Sequence, residues 1–166
     1  MKKGRQHKIV GQVGEYLVSA ELGRRGYIAT TFTGNVPEFD ILVIDEKLIT
    51  IPVQVKTIRR GGAFQTTATK WMNITMEKEV QNIQGKTKLE NPDLIYVMVV
   101  LGEKYGEDEF YLLKKRDLQK MIFVGYSAWM KKLGGKRPRN PKSFHCAVEP
   151  KQLEKYKDNW KIFEEK

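Results

Sequence analysis

Cysteine and long apolar runs are both scarce in this chain of 166 residues. The only cysteine is Cys146, which excludes an intrachain disulfide and a metal site built from several thiolates, and which is typical of a reducing cytoplasm. The longest apolar run, residues 94–101, is far shorter than the roughly 20 residues of a membrane-spanning helix. The N-terminal residues also lack the uninterrupted apolar segment of a secretory signal. The sequence therefore predicts a soluble cytoplasmic protein.

Acidic residues are fewer than basic ones. The chain has 20 acidic residues against 30 lysines and arginines, which gives a net charge of +10. Such an excess favours attraction to a polyanion such as nucleic acid, although charge alone does not identify the partner. The length predicts a single domain over residues 1–166, with a core at about 8–101 and a basic extension at about 103–166.

Residues 9–22 are predicted to form an amphipathic helix. Its apolar stripe comprises Ile9, Val13, Tyr16 and Ala20, widened by Val10 and Leu17. Glu15 lies off this stripe and has no lysine or arginine three or four positions away. A surface glutamate in so basic a chain often has such a partner, so Glu15 is expected to face a group outside its own helix; a solvated glutamate is the alternative.

Three strands are predicted at residues 27–32, 39–44 and 48–55, joined by short turns into an antiparallel meander. Polar side chains interrupt two of them, since Asp40 breaks the second and Gln54 and Lys56 break the third. Strand side chains alternate between faces, so Gln54 and Lys56 share one face while Val53 and Val55 fill the other. Pro52 predicts a local irregularity just before Gln54.

The rest of the chain alternates helices and strands. A basic loop at residues 59–73 is followed by a short helix at 75–85, predicted from Met76, Val80 and Ile83 with Gly85 as its end. Residues 94–101 read as a strand buried on both faces, which favours a partly parallel sheet with that helix as crossover. Further strands are expected at 109–113 and 143–148, and helices at 114–122, at 127–133 and after Pro150.

The polar interruptions have the chemistry of a metal-dependent hydrolase. A carboxylate and other oxygen ligands can hold a divalent cation, and a nearby ammonium can orient a water and stabilise charge on a phosphate. Asp40, the Gln54 amide oxygen, the Val55 carbonyl and Glu15 are the candidate metal ligands, and Lys56 is the candidate ammonium. The predicted catalytic residues are Glu15, Asp40, Gln54 and Lys56.

These residues and their order resemble the PD-(D/E)XK nuclease superfamily, which includes many restriction enzymes, archaeal Holliday-junction resolvases and some homing endonucleases. The resemblance rests on Glu15 in the first helix, Pro37 and Asp40 at the second strand, and Gln54-Val55-Lys56 in the third. It covers residues 8–101. It implies an α/β fold with an αβββαβ core, a central mixed sheet flanked by helices, Mg²⁺ or Mn²⁺ as cofactor, and cleavage of DNA.

The sequence departs from the family pattern at both motifs. The first reads Pro37-Glu38-Phe39-Asp40, so Glu38 competes with Asp40 as the metal ligand. The second has Gln54 where an acidic residue is commonest, as in Mrr-type restriction enzymes and certain homing endonucleases. The amide removes one negative charge from the site but keeps an oxygen that Mg²⁺ accepts.

Other interpretations remain open from the sequence. Asp40 and Lys56 could form a buried ion pair between two strands, although such a pair is a costly way to stabilise a core. The chain could also be a nuclease-fold protein that binds nucleic acid without cutting it, or a basic protein that binds none. Phe64 and Trp71 could stack on bases but are more typical of a core, and Thr57 could touch phosphate or serve as a satisfied hydroxyl at the strand end.

Basic residues of the loop and the extension are predicted to contact the phosphate backbone, with a solvated surface as the alternative. They are Arg59, Arg60, Lys70, Lys131, Lys132, Lys136, Arg137, Arg139 and Lys142. Cutting both strands of a duplex takes two active sites, so a homodimer or a higher symmetric oligomer is expected. The sequence does not distinguish among duplex, junction, damaged and single-stranded substrates.

Overall fold

The computed structural model describes residues 3–32 and 38–165. The turn predicted at 33–35 and Pro37 lie outside this range. Two α-helices and nine strands make up the regular structure. In chain order they are α1 (Lys3–Arg24), β1 (Ile28–Thr31), β2 (Ile41–Ile44), β3 (Thr50–Arg59), β4 (Phe64–Thr67), β5 (Met72–Glu77), β6 (Val80–Lys86), β7 (Ile95–Leu101), β8 (Glu109–Lys114), α2 (Lys115–Lys132) and β9 (His145–Val148).

Five strands form the central sheet in the order β1-β2-β3-β7-β8. The pairs β1–β2, β2–β3 and β7–β8 are antiparallel, while β3 and β7 run parallel from Val53 opposite Ile95 to Arg59 opposite Leu101. All seven residues of β7 are buried, because strands lie on both sides of it and apolar clusters cover both faces. The predicted α/β fold with a mixed sheet flanked by helices is confirmed.

Each face of the sheet carries one apolar cluster. The α1-side cluster packs Val18 and Leu22 of α1 against alternate strand residues, among them Val53, Val55 and Val97. The α2-side cluster takes the intervening strand residues and packs them against α2; its members include Tyr96, Met98, Leu113, Leu118 and Ile122. Gln54 and Lys56 alternate with Val53 and Val55, so they belong to the α2-side face.

The apolar stripe predicted for α1 is not the buried one. Val18 and Leu22 are fully buried, with Val10 and Leu17 packed beside them. Ile9, Val13 and Tyr16 are instead exposed, and Tyr16 retains 55% of its accessible surface. The helix is turned so that Gly14 faces β3. Only a glycine fits there, because a Cβ atom at this position would collide with Thr57 of β3.

The helix predicted at residues 75–85 is wrong. The segment forms the antiparallel ribbon β5–β6, with Lys78 and Glu79 in the turn at φ values of 45° and 69°. The turn separates Met76 on β5 from Val80 and Ile83 on β6, so three residues from two strands have spacings of four and three that resemble a helical period. A bulge between Asn73 and Ile74 shifts the register by one residue. The crossover between the parallel strands β3 and β7 therefore lacks this helix, and α2 covers that face of the sheet.

The predicted loop at 59–73 and the C-terminal extension are both built into the fold. β3 continues to Arg59, and β4 follows and pairs with β9. The two helices predicted at 114–122 and 127–133 are one continuous helix, α2. The expected terminal helix consists of two 3-10 segments, Pro150–Tyr156 and Trp160–Phe163. β8 joins the central sheet, so residues after 101 complete the core.

Pro52 lies opposite Leu42 without a register shift in the β2–β3 pair, so the irregularity predicted there is not found. Pairing with β7 begins only at Val53, which leaves Pro52 where β3 has a strand on one side only. Among residues 3–32 and 38–165, no helix combines the length and apolar character needed to cross a membrane.

Candidate active site

Asp40 and Gln54 meet where β2 and β3 pair. The backbone N–H of Asp40 donates to the Val53 carbonyl at 2.8 Å, which fixes the residue just ahead of β2. Its Oδ2 atom accepts a hydrogen bond from the Val55 N–H at 2.8 Å and another from the Gln54 amide. Gln54 is 8% exposed. The strand pairing thus delivers the carboxylate and the amide to one point, as the sequence predicted.

The groups at this point have the oxygen chemistry of a divalent cation site. The Gln54 amide nitrogen bonds Asp40 Oδ2 and lies 3.5 Å from the Val55 carbonyl oxygen. The amide hydrogens therefore face two oxygens that could both ligate a hard cation. In this rotamer the amide presents its nitrogen, so ligation through Oε1 requires a rotation of the amide group. The described part of the chain holds no cluster of three or more histidine, cysteine, aspartate or glutamate side chains.

Glu15 lies on α1, within electrostatic range of this site. Gly14 lies so close to β3 that a Cβ atom there would stand 1.9 Å from Thr57 Oγ1. The contact brings the adjacent Glu15 into electrostatic reach of both Asp40 and Lys56. Burial, and after it the charge of Asp40, raises the pKa of Glu15 above its usual range, while Lys56 opposes the rise. Glu15 thus faces charges outside its helix, in line with the sequence expectation.

Lys56 is exposed and lines a cleft of about 710 Å³ on the α2 side of the sheet. Arg59, Arg60 and Lys70 line the same cleft. Desolvation lowers the pKa of Lys70, and the charges of Lys56 and then Lys115 lower it further. Within the described ranges, the ion pairs do not include one between Asp40 and Lys56. The structure therefore does not support a strand-joining ion pair.

Glu38 lies apart from the cluster formed by Asp40, Gln54 and Val55. It is exposed, has a φ of 78°, and accepts a hydrogen bond from Asn91 Nδ2 at 2.7 Å. Asp40 is the carboxylate that contacts Gln54 and Val55. Of the two acidic residues in the first motif, the geometry therefore favours Asp40 as the ligand.

The basic residues fall into two groups. Arg59, Arg60 and Lys70 line the cleft, and Arg60 is 3.5 Å from Glu107. The second group lies at the end of α2 and in the loop after it: Lys131, Lys132, Lys136, Arg137, Arg139 and Lys142.

Two members of this second group already have protein partners. Lys136 pairs with Glu79 at 2.6 Å. Arg137 donates to the carbonyls of Ser143 and His145 at 2.7 Å and lies over Trp129. Lys131, Lys132, Arg139 and Lys142 are exposed, so their side chains face solvent where a phosphate could reach them.

Three aromatic residues line the cleft. The sequence indicated Phe64 and Trp71 but not the third, Tyr96. Phe64 and Trp71 belong to the core, with Trp71 only 2% exposed. Tyr96 stands opposite Gln54 in the β3–β7 pair and lines the cleft. Burial, followed by the charges of Asp40 and Glu38, raises its pKa to about 12. The available signal was a lone hydroxyl in an otherwise apolar strand.

Thr57 follows Lys56 and lies against Gly14 of α1. Its hydroxyl is buried and has no hydrogen-bond partner among the described residues. The sequence left two roles open for this side chain, a contact with phosphate or a hydroxyl that is hydrogen-bonded at the strand end. The second role is not observed, because in the described part of the chain the hydroxyl has no such bond. Its position instead sets how closely α1 approaches β3.

The fold is similar to that of a nuclease of known structure. A solved structure with the same architecture is the bacterial homing endonuclease I-Ssp6803I, with a TM-score of 0.52 and 13% sequence identity, over 94% of this chain and 91% of that one. At this identity the likeness establishes the fold. No protein-family model matches the chain, and neither does any curated protein sequence.

Proposed function

We propose that the chain is a metal-dependent endonuclease of the PD-(D/E)XK type that hydrolyses phosphodiester bonds in DNA. The observation that carries the proposal is the meeting of Asp40, Gln54 and the Val55 carbonyl at one point, at the edge of a basic cleft that contains Lys56. The homing endonuclease with the same fold supports this reading.

Asp40, the Gln54 amide oxygen and the Val55 carbonyl would hold Mg²⁺ or Mn²⁺, with Glu15 completing the site directly or through a water. A bound divalent cation supplies neutralisation of the negative charge that builds on the attacked phosphate. Glu15 acts in its ionised form. Gln54 stands where an acidic residue is commonest, so the site has one negative charge fewer, and the Glu15 carboxylate supplies a negative charge in its place.

Lys56 positions the attacking water and stabilises charge on the phosphate. It is exposed on the cleft face of β3, two residues from Gln54, so its ammonium can reach a phosphate placed near Asp40. A preorganised cation at this place acts on the transition state more than on the bound substrate. Lys56 is therefore expected to matter for cutting far more than for binding.

A cleavage assay tests the proposal. The purified protein is incubated with plasmid, four-way junction and single-stranded DNA in Mg²⁺ or Mn²⁺, with EDTA as the negative control. Wild type is expected to cut at least one substrate, and Asp40→Ala and Lys56→Ala are expected to lose at least about 100-fold in rate. Lys56→Ala should still bind DNA. Binding without cutting by wild type on every substrate and metal would contradict the proposal.

A second candidate, a nuclease-fold protein that binds DNA without cutting it, is favoured by one contact. The Gln54 amide donates to Asp40, which satisfies the carboxylate without a cation. This candidate predicts DNA binding that falls steeply with salt and does not change with Mg²⁺. Protection of the fold against heat by Mn²⁺, lost in Asp40→Ala, would decide for a metal site independently of cleavage.

DNA is the proposed partner, and a symmetric oligomer is the proposed state. The exposed stripe of Ile9, Val13 and Tyr16 on α1 supports association with a second copy, because one apolar stripe can pack against itself across a two-fold axis. The cytoplasm is the proposed location. Burial raises the pKa of the lone Cys146 to about 11, so this thiol stays protonated at neutral pH.

A further inference from the structure

The β5–β6 ribbon has one polar face whose side chains are exposed or half-buried within residues 3–32 and 38–165. Thr75 pairs with Asn82 across the ribbon, and Gln84 Nε2 donates to Thr75 Oγ1 at 3.1 Å. Asn73, Thr75 and Gln84 are exposed and Asn82 is half-buried. These four side chains of the outer face lie at residues 73–75 and 82–84 and so cover about 7 Å of the ribbon, at roughly 3.3 Å per residue. The exposed Glu77 lies on the same face, nearer the turn.

The opposite face holds the ribbon firmly to the protein. Met72 is fully buried, and Ile74 and Ile83 pack against the α2-side cluster. The buried Gln81 donates to the carbonyls of Pro141 and Ser143 at 2.8 and 3.0 Å and accepts from Tyr126 at 2.7 Å. The outer side chains are thus mounted on a rigid support, which is what a recognition surface requires.

Positive charge brackets the ribbon at both ends. At its base, Lys70 lines the catalytic cleft two residues before β5, and Lys86 and Lys88 are exposed at the end of β6. At its tip, Glu79 is neutralised by Lys136, and the basic loop 134–143 packs beside Gln81. Cations at the two ends would hold phosphates, which fixes the register of a nucleic acid between them.

We propose that the outer face of the ribbon enters the major groove of duplex DNA and reads base edges there, so that it sets the sequence at which the chain cuts. The major groove accepts a two-stranded ribbon, and asparagine and glutamine form paired hydrogen bonds with adenine in it. The about 7 Å covered by these four side chains corresponds to roughly two base pairs at 3.4 Å each. The proposal rests on the proposed nuclease function and names its substrate as duplex DNA with a preferred sequence.

A selection experiment tests the ribbon. Duplexes with a randomised segment of about 20 base pairs are selected for binding to Lys56→Ala protein, and the same selection is run with Asn73→Ala or Gln84→Ala added. The first protein is expected to enrich a motif. Each added substitution should lower affinity for that motif about 5- to 150-fold, relax one or two adjacent positions in it, and leave affinity for random DNA unchanged.

Gln12→Ala in the Lys56→Ala background is the matched control. Gln12 is an exposed glutamine on α1 whose hydrogen bond goes to Tyr16, so this variant should keep both the motif and the affinity. Thermal unfolding of every variant checks that the ribbon substitutions leave the fold intact.

The outcomes separate the two proposals. An unchanged motif in both ribbon variants would overturn the role of the ribbon. So would a wild type that cuts duplex DNA while the selection enriches no motif, and the nuclease would then stand. A chain that neither binds nor cuts DNA in any metal would overturn the nuclease and the ribbon together.

Discussion

Glu15 is a residue at which the proposed function and the stability of the fold conflict. Its pKa is raised from the ordinary 4.5, so the folded chain holds this proton more tightly than the unfolded chain does. Stability therefore falls as pH rises from the ordinary pKa to the raised one, and the full cost of the charge is present above that window. The same charge is what the proposed metal site uses.

We expect Glu15→Gln to melt at a higher temperature than wild type at pH 8, because it removes a charge that is costly in the fold. The gain should shrink as pH falls and vanish below about 4.5, where both states are protonated. Cleavage should fall at the same time. Thermal unfolding between pH 3.5 and 8 measures the gain, with the exposed Glu103→Gln as control. A lower melting temperature at pH 8 would contradict the expectation.

Gly14 tests how closely α1 must approach β3. A Cβ there meets Thr57 Oγ1 at 1.9 Å, so Gly14→Ala should destabilise the fold by about 1–3 kcal/mol and lower cleavage by moving Glu15. Gly11→Ala in the same helix meets nothing within 4 Å and should stabilise by up to about 1 kcal/mol. Chemical denaturation measures both values.

Thr57→Ala combined with Gly14→Ala should recover part of the lost stability, because it removes the two Thr57 atoms that follow Cβ. A loss that is equal with and without Thr57→Ala would show that the contact does not determine the packing of α1. Equal stability changes for the alanines at positions 11 and 14 would lead to the same conclusion.

At the residue scale, the sequence reveals a site where polarity contradicts its surroundings. Asp40 and Gln54 stand out because each interrupts an apolar run of the sequence, although in the structure Asp40 lies just ahead of β2. Tyr96 also brings a hydroxyl into an apolar strand. Tyrosine rings are common in protein cores, however, so its presence there is only a weak indication of a functional residue. The sequence cannot reveal that the Arg137 guanidinium donates to the backbone carbonyls of Ser143 and His145. These contacts depend on the conformation of the loop between α2 and β9.

At the scale of elements, β7 was predictable and the ribbon was not. A continuous apolar run between turn signals leaves a buried strand as the natural interpretation. In residues 72–86 the alternation of Met72, Ile74 and Met76 indicates a strand, while Met76, Val80 and Ile83 fit a helix. The second pattern arises from the turn at residues 78–79, which is made of a lysine and a glutamate and lacks the glycine or asparagine usual at such places.

The exposed stripe of α1 gives a prediction at the same scale. If Ile9, Val13 and Tyr16 pack against a second copy, Val13→Glu should lower the association constant by at least about tenfold, because it buries a charge in an apolar contact. Sedimentation at several protein concentrations measures this. Val124→Glu is the control on α2, since Val124 is an exposed valine too, at 59% against 38% for Val13. Equal behaviour of the two variants would exclude this stripe as the contact.

At the scale of the whole molecule, the resemblance covers residues 8–101 but the structural unit does not end there. β8 closes one edge of the central sheet, and α2 covers a face that would otherwise expose Tyr96 and Met98. Sequence similarity to a family identifies the residues that carry the chemistry. It does not show that α2, which lies outside residues 8–101, completes the core. The motifs therefore gave no indication that residues 103–166 are part of the structural unit.

We therefore expect a chain ending at residue 102 to lack a cooperative fold. It would lose β8, α2 and β9 and leave both apolar clusters open. Circular dichroism through a thermal ramp should give a broad, non-cooperative change. A chain ending after Phe163 is the control and should melt close to the full-length protein, because among described contacts it loses the Lys114–Glu165 pair and the hydrogen bond from the Glu164 N–H to the Lys161 carbonyl. A sharp transition in the shorter chain would contradict this expectation.

The parallel pairing of β3 with β7 also determines the order in which the protein can be made. During synthesis β3 leaves the ribosome well before Ile95–Leu101 is available beside it, and at about 5–20 residues per second that interval lasts seconds. Then β7, apolar along its whole length, waits in turn for Glu109–Lys114. A nascent chain therefore exposes this wholly apolar strand before β8 can pair with it. Cells that produce this protein in quantity should need chaperones for that interval, and slow translation between residues 101 and 115 should lower the yield of folded protein.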